Sequence, residues 1–389
     1  YRVNILAQSR ACAYLPHTIK VKKREEFRQT IGRKKTHLSK EEKRKEYQLI
    51  FNALERAGFK TQTLLSLDEE EFLAVEEVIR QTASTEETTY RGGKLEAGRD
   101  HLSAAVKNKW LIPIYDLYTG DLVDEYVPDG KAGEHQRDLF WISVSIVLYW
   151  AYRRGLTNIK PVKWKGFKFD ERLFHAAIVH ISEQGKERNL VKSSAVLSWF
   201  YTPGSKVLAK YLAKHKTHLT GLTGASDAWK LDKRISPFSQ ESKFLYDKTE
   251  NKRLNLSVRG FELDLVEATD HAIRERALAQ LNALIRYSGF PPWYGKLLMK
   301  VYSQEQIVTE TVQVDEGFKV SREPYKGKIT EGCMMGSEPT KIMLHLAHLR
   351  AGEYARLLLM TRNMIERETL MGPALEPDRM VYPSNPQYS

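Results

Sequence analysis

Asp264 and Asp270, six residues apart, are the carboxylates whose spacing best suits chemistry in this chain. The run Asp264-Leu265-Val266-Glu267-Ala268-Thr269-Asp270 follows a strand-like stretch, Leu256 to Leu263, and leads into an amphipathic helix. A strand end holds a side chain firmly, and a carboxylate there offers the hard oxygen ligand that Mg²⁺ or Mn²⁺ takes. In a two-metal site such ions activate an attacking 3′-hydroxyl and stabilise a leaving pyrophosphate. Asp270 falls near the helix start, where its charge suits the positive end of the helix dipole. It reads there either as a plain N-cap or as an acceptor for a ribose 2′-hydroxyl.

Two further segments carry groups that such chemistry needs. In Glu183-Gln184-Gly185-Lys186-Glu187-Arg188-Asn189-Leu190-Val191-Lys192, Gly185 permits a turn, and Lys186 and Arg188 then leave one face of an extended strand. Two cations on one face suit a triphosphate, whose charge must be clamped during transfer. Taken alone, a basic strand reads equally as a solvated face. The segment Glu331-Gly332-Cys333-Met334-Met335-Gly336-Ser337-Glu338-Pro339-Thr340-Lys341 holds two glycines and then a proline ahead of a helix carrying Ile342, Leu346, Leu349 and Leu357. Glycines at a helix start let backbone approach a template or nucleotide closely. Thr340 is placed to hydrogen-bond a ribose or a template base.

The elements that must position these groups come from a chain of 389 residues, long enough for two or three packed subdomains. With 42% hydrophobic and 10% aromatic residues it can bury a sizeable core. The formal charge of +12 points to a polyanionic partner, nucleic acid being the usual one. Cys12 and Cys333 are too few for a disulfide framework or a zinc site, which fits a reducing, intracellular setting. The longest apolar run, Leu139 to Tyr152, suits a buried helix better than a membrane span.

Along the chain, residues 20–45 hold twelve Lys or Arg against four Glu, either a solvated helical face or an arm that contacts RNA. Ser39 with Glu42, and Ser66 with Glu69, spell capping boxes ahead of helices. Residues 111–127 read as a hairpin turning at Thr119-Gly120-Asp121, with Pro113 on an edge, and a buried helix runs from about Gln136 to Arg154. Between Asn158 and Arg259, cations interleave with Trp164, Trp199, Phe200, Tyr201 and Trp229, a pattern that stacks bases and neutralises phosphates. The same aromatics also read as ordinary core. The helix after Asp270 should present Ile273, Ala277, Leu281, Leu284 and Ile285 to a core and stop at Gly289.

The order of the three segments, basic strand, Asp-x5-Asp and Gly-rich loop, resembles motifs F, A and B of right-handed viral RNA-directed RNA polymerases, most of all the narnavirus-like ones. The likeness covers roughly residues 180 to 366. It implies an α+β fold, a partial right-hand polymerase with fingers, an incomplete palm and a helix-rich N-terminal region. The expected divisions are 1–157, 158–259 with motif F, and 260–389 with motifs A and B. It further implies Asp264 as the metal ligand for Mg²⁺ or Mn²⁺ and Asp270 as the ribose sensor. Lys186 and Arg188, helped by Lys192, would clamp the triphosphate. Gly332, Met335, Gly336 and Thr340 would form the template and ribose loop.

Two departures stand out. Many such polymerases carry an Asn within the motif B helix, where this chain has Leu344, His345 and His348. The Asp-Asp hairpin of motif C is missing, since no adjacent Asp pair occurs in the sequence. Divided polymerases of the splipalmivirus type show this pattern. The expectation is therefore a polymerase subunit that binds RNA template, product and NTPs and is inactive until a second subunit supplies motif C. The alternatives are a non-catalytic RNA-binding protein derived from a polymerase, or a piece of a single-chain enzyme.

Overall fold

The computed structural model describes residues 14–64, 72, 84–85, 90, 93–130, 135–164, 171–183, 186–214, 245–247, 252–254, 269–316, 319–333 and 339–361. The elements are α1 (His17–Ile31), α2 (Lys40–Arg56), α3 (Gly93–Lys107), β1 (Ile112–Tyr115), β2 (Leu122–Tyr126), α4 (His135–Arg153), β3 (His175–Glu183), β4 (Lys186–Ser193) and α5 (Ala195–Ala213). There follow β5 (Leu245–Asp247), β6 (Lys252–Leu254), α6 (Arg274–Ser288), α7 (Pro292–Tyr302), β7 (Gln306–Glu316), β8 (Lys319–Ile329) and α8 (Thr340–Thr361). The chain is thus a mixed helix-and-strand protein.

Local signals explain most of the helices that matter. The Ser39 hydroxyl accepts from the Glu42 amide at 3.1 Å, and the Glu42 carboxylate accepts from the Ser39 amide at 2.7 Å, closing the expected capping box of α2. Leu49, Ile50, Ala53 and Leu54 then follow helical spacing into the core. The second capping box, at Ser66, lies outside the described residues. α6 buries Ala277, Leu281, Leu284 and Ile285 as its pattern requires. It ends on Gly289 at φ +73°, a left-handed C-cap that glycine adopts without strain. Phe290 returns to the core, and Pro292 opens α7.

The hairpin forms where expected. β1 pairs antiparallel with β2, and Pro113 sits opposite Glu125. Asp116 accepts from the amides of Tyr118 at 2.6 Å and Thr119 at 3.0 Å, shaping the turn. At Gly120 the φ is +84°, and a Cβ would lie 2.3 Å from the Trp293 ring, so the position admits only glycine. α4 is buried over nearly its whole length, with Leu139, Phe140, Trp141, Val144 and Leu148 inaccessible. Among the described residues, no helix is long and apolar enough to cross a membrane.

The aromatics of the basic middle region are core. Trp199, Phe200 and Tyr201 on α5 are buried, and Trp164 stacks on Trp110 with ring centroids 4.9 Å apart and planes 4° apart. The Trp164 indole N–H donates to the Leu111 carbonyl at 2.7 Å, which fixes the ring. These rings therefore do not stack bases. The lysines interleaved with them on α5, Lys206 and Lys210, fall at its less buried positions. Trp229 lies outside the described residues.

A second, smaller core sits between α1 and one face of a four-stranded sheet of order β4-β3-β7-β8. β3 pairs antiparallel with β4 and parallel with β7, and β7 pairs antiparallel with β8. Phe27 and Ile31 of α1 meet Ala176, Ile178, Val191, Val308 and Ile329. The basic segment around residue 20 is thus an ordered helix rather than an arm, and two of its arginines turn inward. Arg24 binds the buried Glu187 at 2.8 Å. Arg28 forks onto Glu310 at 3.0 and 2.9 Å, and His180 reaches the same carboxylate at 2.6 Å.

Burial alone would raise the pKa of Glu310, but the bonds from His180 and Arg28 outweigh it and bring it down to about 2. Because the folded value is depressed, this stabilisation is complete above the ordinary value of 4.5 and is lost as pH falls towards about 2. Glu310→Gln should cost about 3 kcal/mol at neutral pH, the range for removing one partner of a buried pair. Its stability should also vary less with pH between those limits than that of the native chain. Denaturant titrations across that range check both outcomes.

Candidate functional site

α6 starts at Arg274 with Ile273 at its N-cap, and Ile273 offers no capping side chain. Asp270 lies upstream in the turn that spans residues 269–271, so it is not the N-cap. The cap comes from elsewhere. Glu331, wholly buried, accepts from the Arg274 amide through Oε2 at 2.8 Å and from the Thr36 amide through Oε1. A carboxylate at a helix start satisfies an orphan donor and complements the helix dipole.

The residues after Glu331 continue the contact. The Gly332 amide donates to the Ala272 carbonyl at 3.1 Å, and the Cys333 amide donates to the Thr269 carbonyl at 2.8 Å. The Asp270 turn and the start of the Gly-rich loop are thus laid against each other by backbone bonds. Gly332 has φ +85°, a left-handed conformation that explains glycine there. Thr269, Asp270, Cys333 and Thr340 are all buried. The Thr269 hydroxyl donates to Asp270 Oδ1 at 3.0 Å, orienting that carboxylate. Thr340 is the first residue of α8, and Pro339 supplies the first helical acceptor, to the Met343 amide at 2.9 Å.

The linker between α1 and α2 braces this junction from below. The Arg33 guanidinium donates to the carbonyls of His271 at 2.8 Å and Ala272 at 3.2 Å. The Ile31 carbonyl accepts from the amides of Thr330 at 3.0 Å and Glu331 at 3.1 Å. Glu275, in the first turn of α6, accepts from the Leu38 amide at 3.0 Å and pairs with Lys43 at 2.9 Å. Burial would raise its pKa, yet these partners bring it down to about 2.

Cys333 is not a nucleophile here. Burial pushes its thiol up to about 12, against the pull of the nearby Arg274, so it stays protonated at neutral pH. Burial also lowers the pKa of Arg274, whose guanidinium donates to the carbonyls of Tyr302 at 2.8 Å and Gln304 at 2.9 Å. Its job is to lock α6 to the end of α7.

The expected triphosphate cations occupy β4 as their spacing required. Lys186, Arg188 and Lys192 share one face, with Glu187, Asn189 and Val191 buried on the other. The Arg188 side chain donates to Glu183 across the strand pair at 2.8 Å. β4 lies at the opposite edge of the sheet from β8, the strand that delivers Gly332. The structure therefore joins Asp270 to Gly332 and holds the cations apart from both. Asp264, Met335 and Gly336 lie outside the described residues. Among the described residues, no group of three or more His, Cys, Asp or Glu side chains is placed to hold a metal ion.

A cleft of about 310 Å³ opens beside the junction, between α6 and α8. Leu344 and His348 line it together with Arg276, Gln280 and Arg350. The buried Glu46 of α2 holds these last three. It accepts from Arg350 at 3.1 and 3.0 Å and from Gln280 at 2.9 Å, and pairs with Arg276 at 3.0 Å. Glu331, Arg33 and Glu46 escaped the reading of the sequence. Each acts on partners more than two hundred residues away, and no local spacing marks such a role.

No family model matches this chain, and no curated protein matches it.

The Glu331 bridge has a direct test. Glu331→Ala takes the acceptor from two part-buried amides and should destabilise the chain by about 1–3 kcal/mol. Glu331→Gln keeps one acceptor oxygen and should cost clearly less. Hydrogen exchange should accelerate at residues 33–38 and 269–274 together, and acceleration in only one of them would break the proposed link.

Proposed function

We propose that this chain is part of a viral RNA-directed RNA polymerase, carrying the nucleotide-binding and template-loop elements of its transfer site. The observation that carries the reading is the pair of backbone bonds between the Asp270 turn and Gly332-Cys333. Segments 60 residues apart in sequence, picked out separately for the same chemistry, lie against each other in space. The charge of +12 and the basic face of β4 fit a polyanionic template and a triphosphate substrate.

In this reading Asp264 would hold Mg²⁺, which when bound would supply the charge that favours a 3′-hydroxyl nucleophile and a leaving pyrophosphate. Asp270, oriented by the Thr269 hydroxyl, accepts a hydrogen bond from the ribose 2′-hydroxyl. Gly332 lets the loop backbone turn towards the bound nucleotide, and Thr340 anchors the loop at the head of α8. Lys186 and Arg188, with Lys192, hold the triphosphate by charge. A further carboxylate pair, outside this sequence, completes the two-metal set.

The test uses the complete, active polymerase. Asp264→Ala should lower the rate of nucleotide addition on the order of 10³-fold or more while the fold is kept. Near-normal extension would instead leave a non-catalytic RNA-binding role.

Arg188→Ala probes the clamp. It should raise KM for NTPs roughly tenfold with RNA affinity unchanged. Loss of RNA affinity with untouched nucleotide kinetics would move Arg188 from the triphosphate to the template.

A further inference from the structure

The four-stranded sheet has two unlike faces. One is closed by α1 and its buried arginines. The register fixes what stands on the other. Lys192, Ala177, Thr309 and Lys326 form one row across all four strands. The next row towards the start of β3 is His175, Ile307 and Lys328. In the other direction, Val179 faces Leu190 and Ile181 faces Arg188. Thr309, Lys326 and Lys328 are exposed, and Ile181 is 41% exposed although it lies within a strand.

This face is a shallow trough. Its floor is built from Ala177, Val179 and Ile181 on β3 and Ile307 and Thr309 on β7, with His175 at one end. Its walls are cations, Arg188 and Lys192 on β4 and Lys326 and Lys328 on β8. Three strand spacings set the walls about 14 Å apart. Among the described residues, the carboxylates paired with these cations are Glu183, bound to Arg188, and Glu305, 3.4 Å from Lys328 at an exposed position.

We propose that this open sheet face docks single-stranded RNA, with Lys326 and Lys328 holding the backbone along the β8 wall. A cationic wall beside an aliphatic floor fits a single strand that lies lengthwise, its one phosphate backbone against Lys326 and Lys328 and its bases over the floor, while Arg188 and Lys192 keep their place at the triphosphate. A duplex would meet the cations with its phosphates but would leave Ile181 and Val179 against its charged backbone. Exposed aliphatic groups there favour unpaired bases, whose apolar faces cover them. The trough also leads along β8 to Thr330 and Gly332, so bound RNA is delivered to the Asp270 junction. The proposal extends the polymerase reading to residues that reading does not use, and it does not depend on catalysis.

The test measures binding of a short labelled oligouridylate by the full chain across a range of salt. Lys326→Ala/Lys328→Ala should weaken binding several-fold. It should also reduce the slope of log affinity against log salt by about 1.4, at about 0.7 for each single-strand phosphate that is no longer neutralised. Lys107→Ala/Lys210→Ala removes the same charge from exposed positions on α3 and α5 and should leave the slope unchanged. Ile181→Ser should lower affinity with the slope intact, because it removes an apolar surface that bases cover. Thermal melts of each variant confirm that the fold is kept.

An unchanged slope in the sheet variant, or an equal loss in the helix variant, overturns the proposal. So does duplex RNA binding as tightly as single strands with Ile181→Ser silent. Nucleotide kinetics separate this surface from the polymerase reading. If Lys326→Ala/Lys328→Ala lowers RNA affinity while Asp264→Ala leaves extension normal, the RNA face stands and the catalytic assignment falls.

Discussion

Glu331 is the constraint on which the candidate site depends. One buried carboxylate caps α6 and receives the amide of Thr36, while its own backbone binds the end of α1. Three distant stretches of chain are thereby fixed at one point. Without that charge, the first turn of α6 and the linker at Thr36 would each lose the acceptor of a part-buried amide. Asp270 and Gly332 keep their relative position because the residues on either side of them are bound to this group. Sites that must hold geometry within a fraction of an ångström are commonly braced in this way by groups that never touch substrate.

The same device recurs. Glu46, Glu187 and Glu310 are buried acids, each gripping arginines from other elements. In a chain so rich in cations, these three inward acids gather basic side chains and tie a helix to its neighbours. Such pairs add little net stability over apolar packing, but breaking one is costly, so they fix arrangement more than they add strength. Lys186, Lys192, Lys326 and Lys328 are left on one face of the sheet.

Much of the scaffold was legible in the sequence because it rests on local rules. The Ser39 capping box, the Asp116 to Gly120 turn, the Gly289 stop and the alternation of β4 each depend on a few neighbouring residues. Asp270 was misplaced as a possible cap because the rule that finds caps assumes the helix begins at the nearest polar residue. Here a longer turn intervenes, and an acid from another segment takes the role. The aromatics of the middle region misled for a related reason. Composition counts rings and cations without recording which side of a helix each occupies. The short β5–β6 hairpin had no pattern strong enough to announce it. Asp264 and Gly336 carry the resemblance most directly, yet they lie outside the described residues, so that part of the reading still rests on spacing alone.

The placement of α1 carries a consequence for how the chain is made. Arg28 bonds a carboxylate 282 residues further on, and Thr36 bonds one 295 residues further on. During synthesis the first helix therefore emerges long before the strands that will cover it. At about 5–20 residues per second, roughly 15–60 seconds pass before Glu310 and Glu331 appear. Until β3 and β4 emerge, a strongly basic helix with Phe27 and Ile31 on one side has no docking face, and until β7 and β8 emerge that face is incomplete. Contacts of such long range also make folding slow, since loop closure precedes any gain from pairing. The junction at Asp270 is assembled last, so a nascent or cut chain lacking the β8 end would hold the separate pieces of the site without joining them.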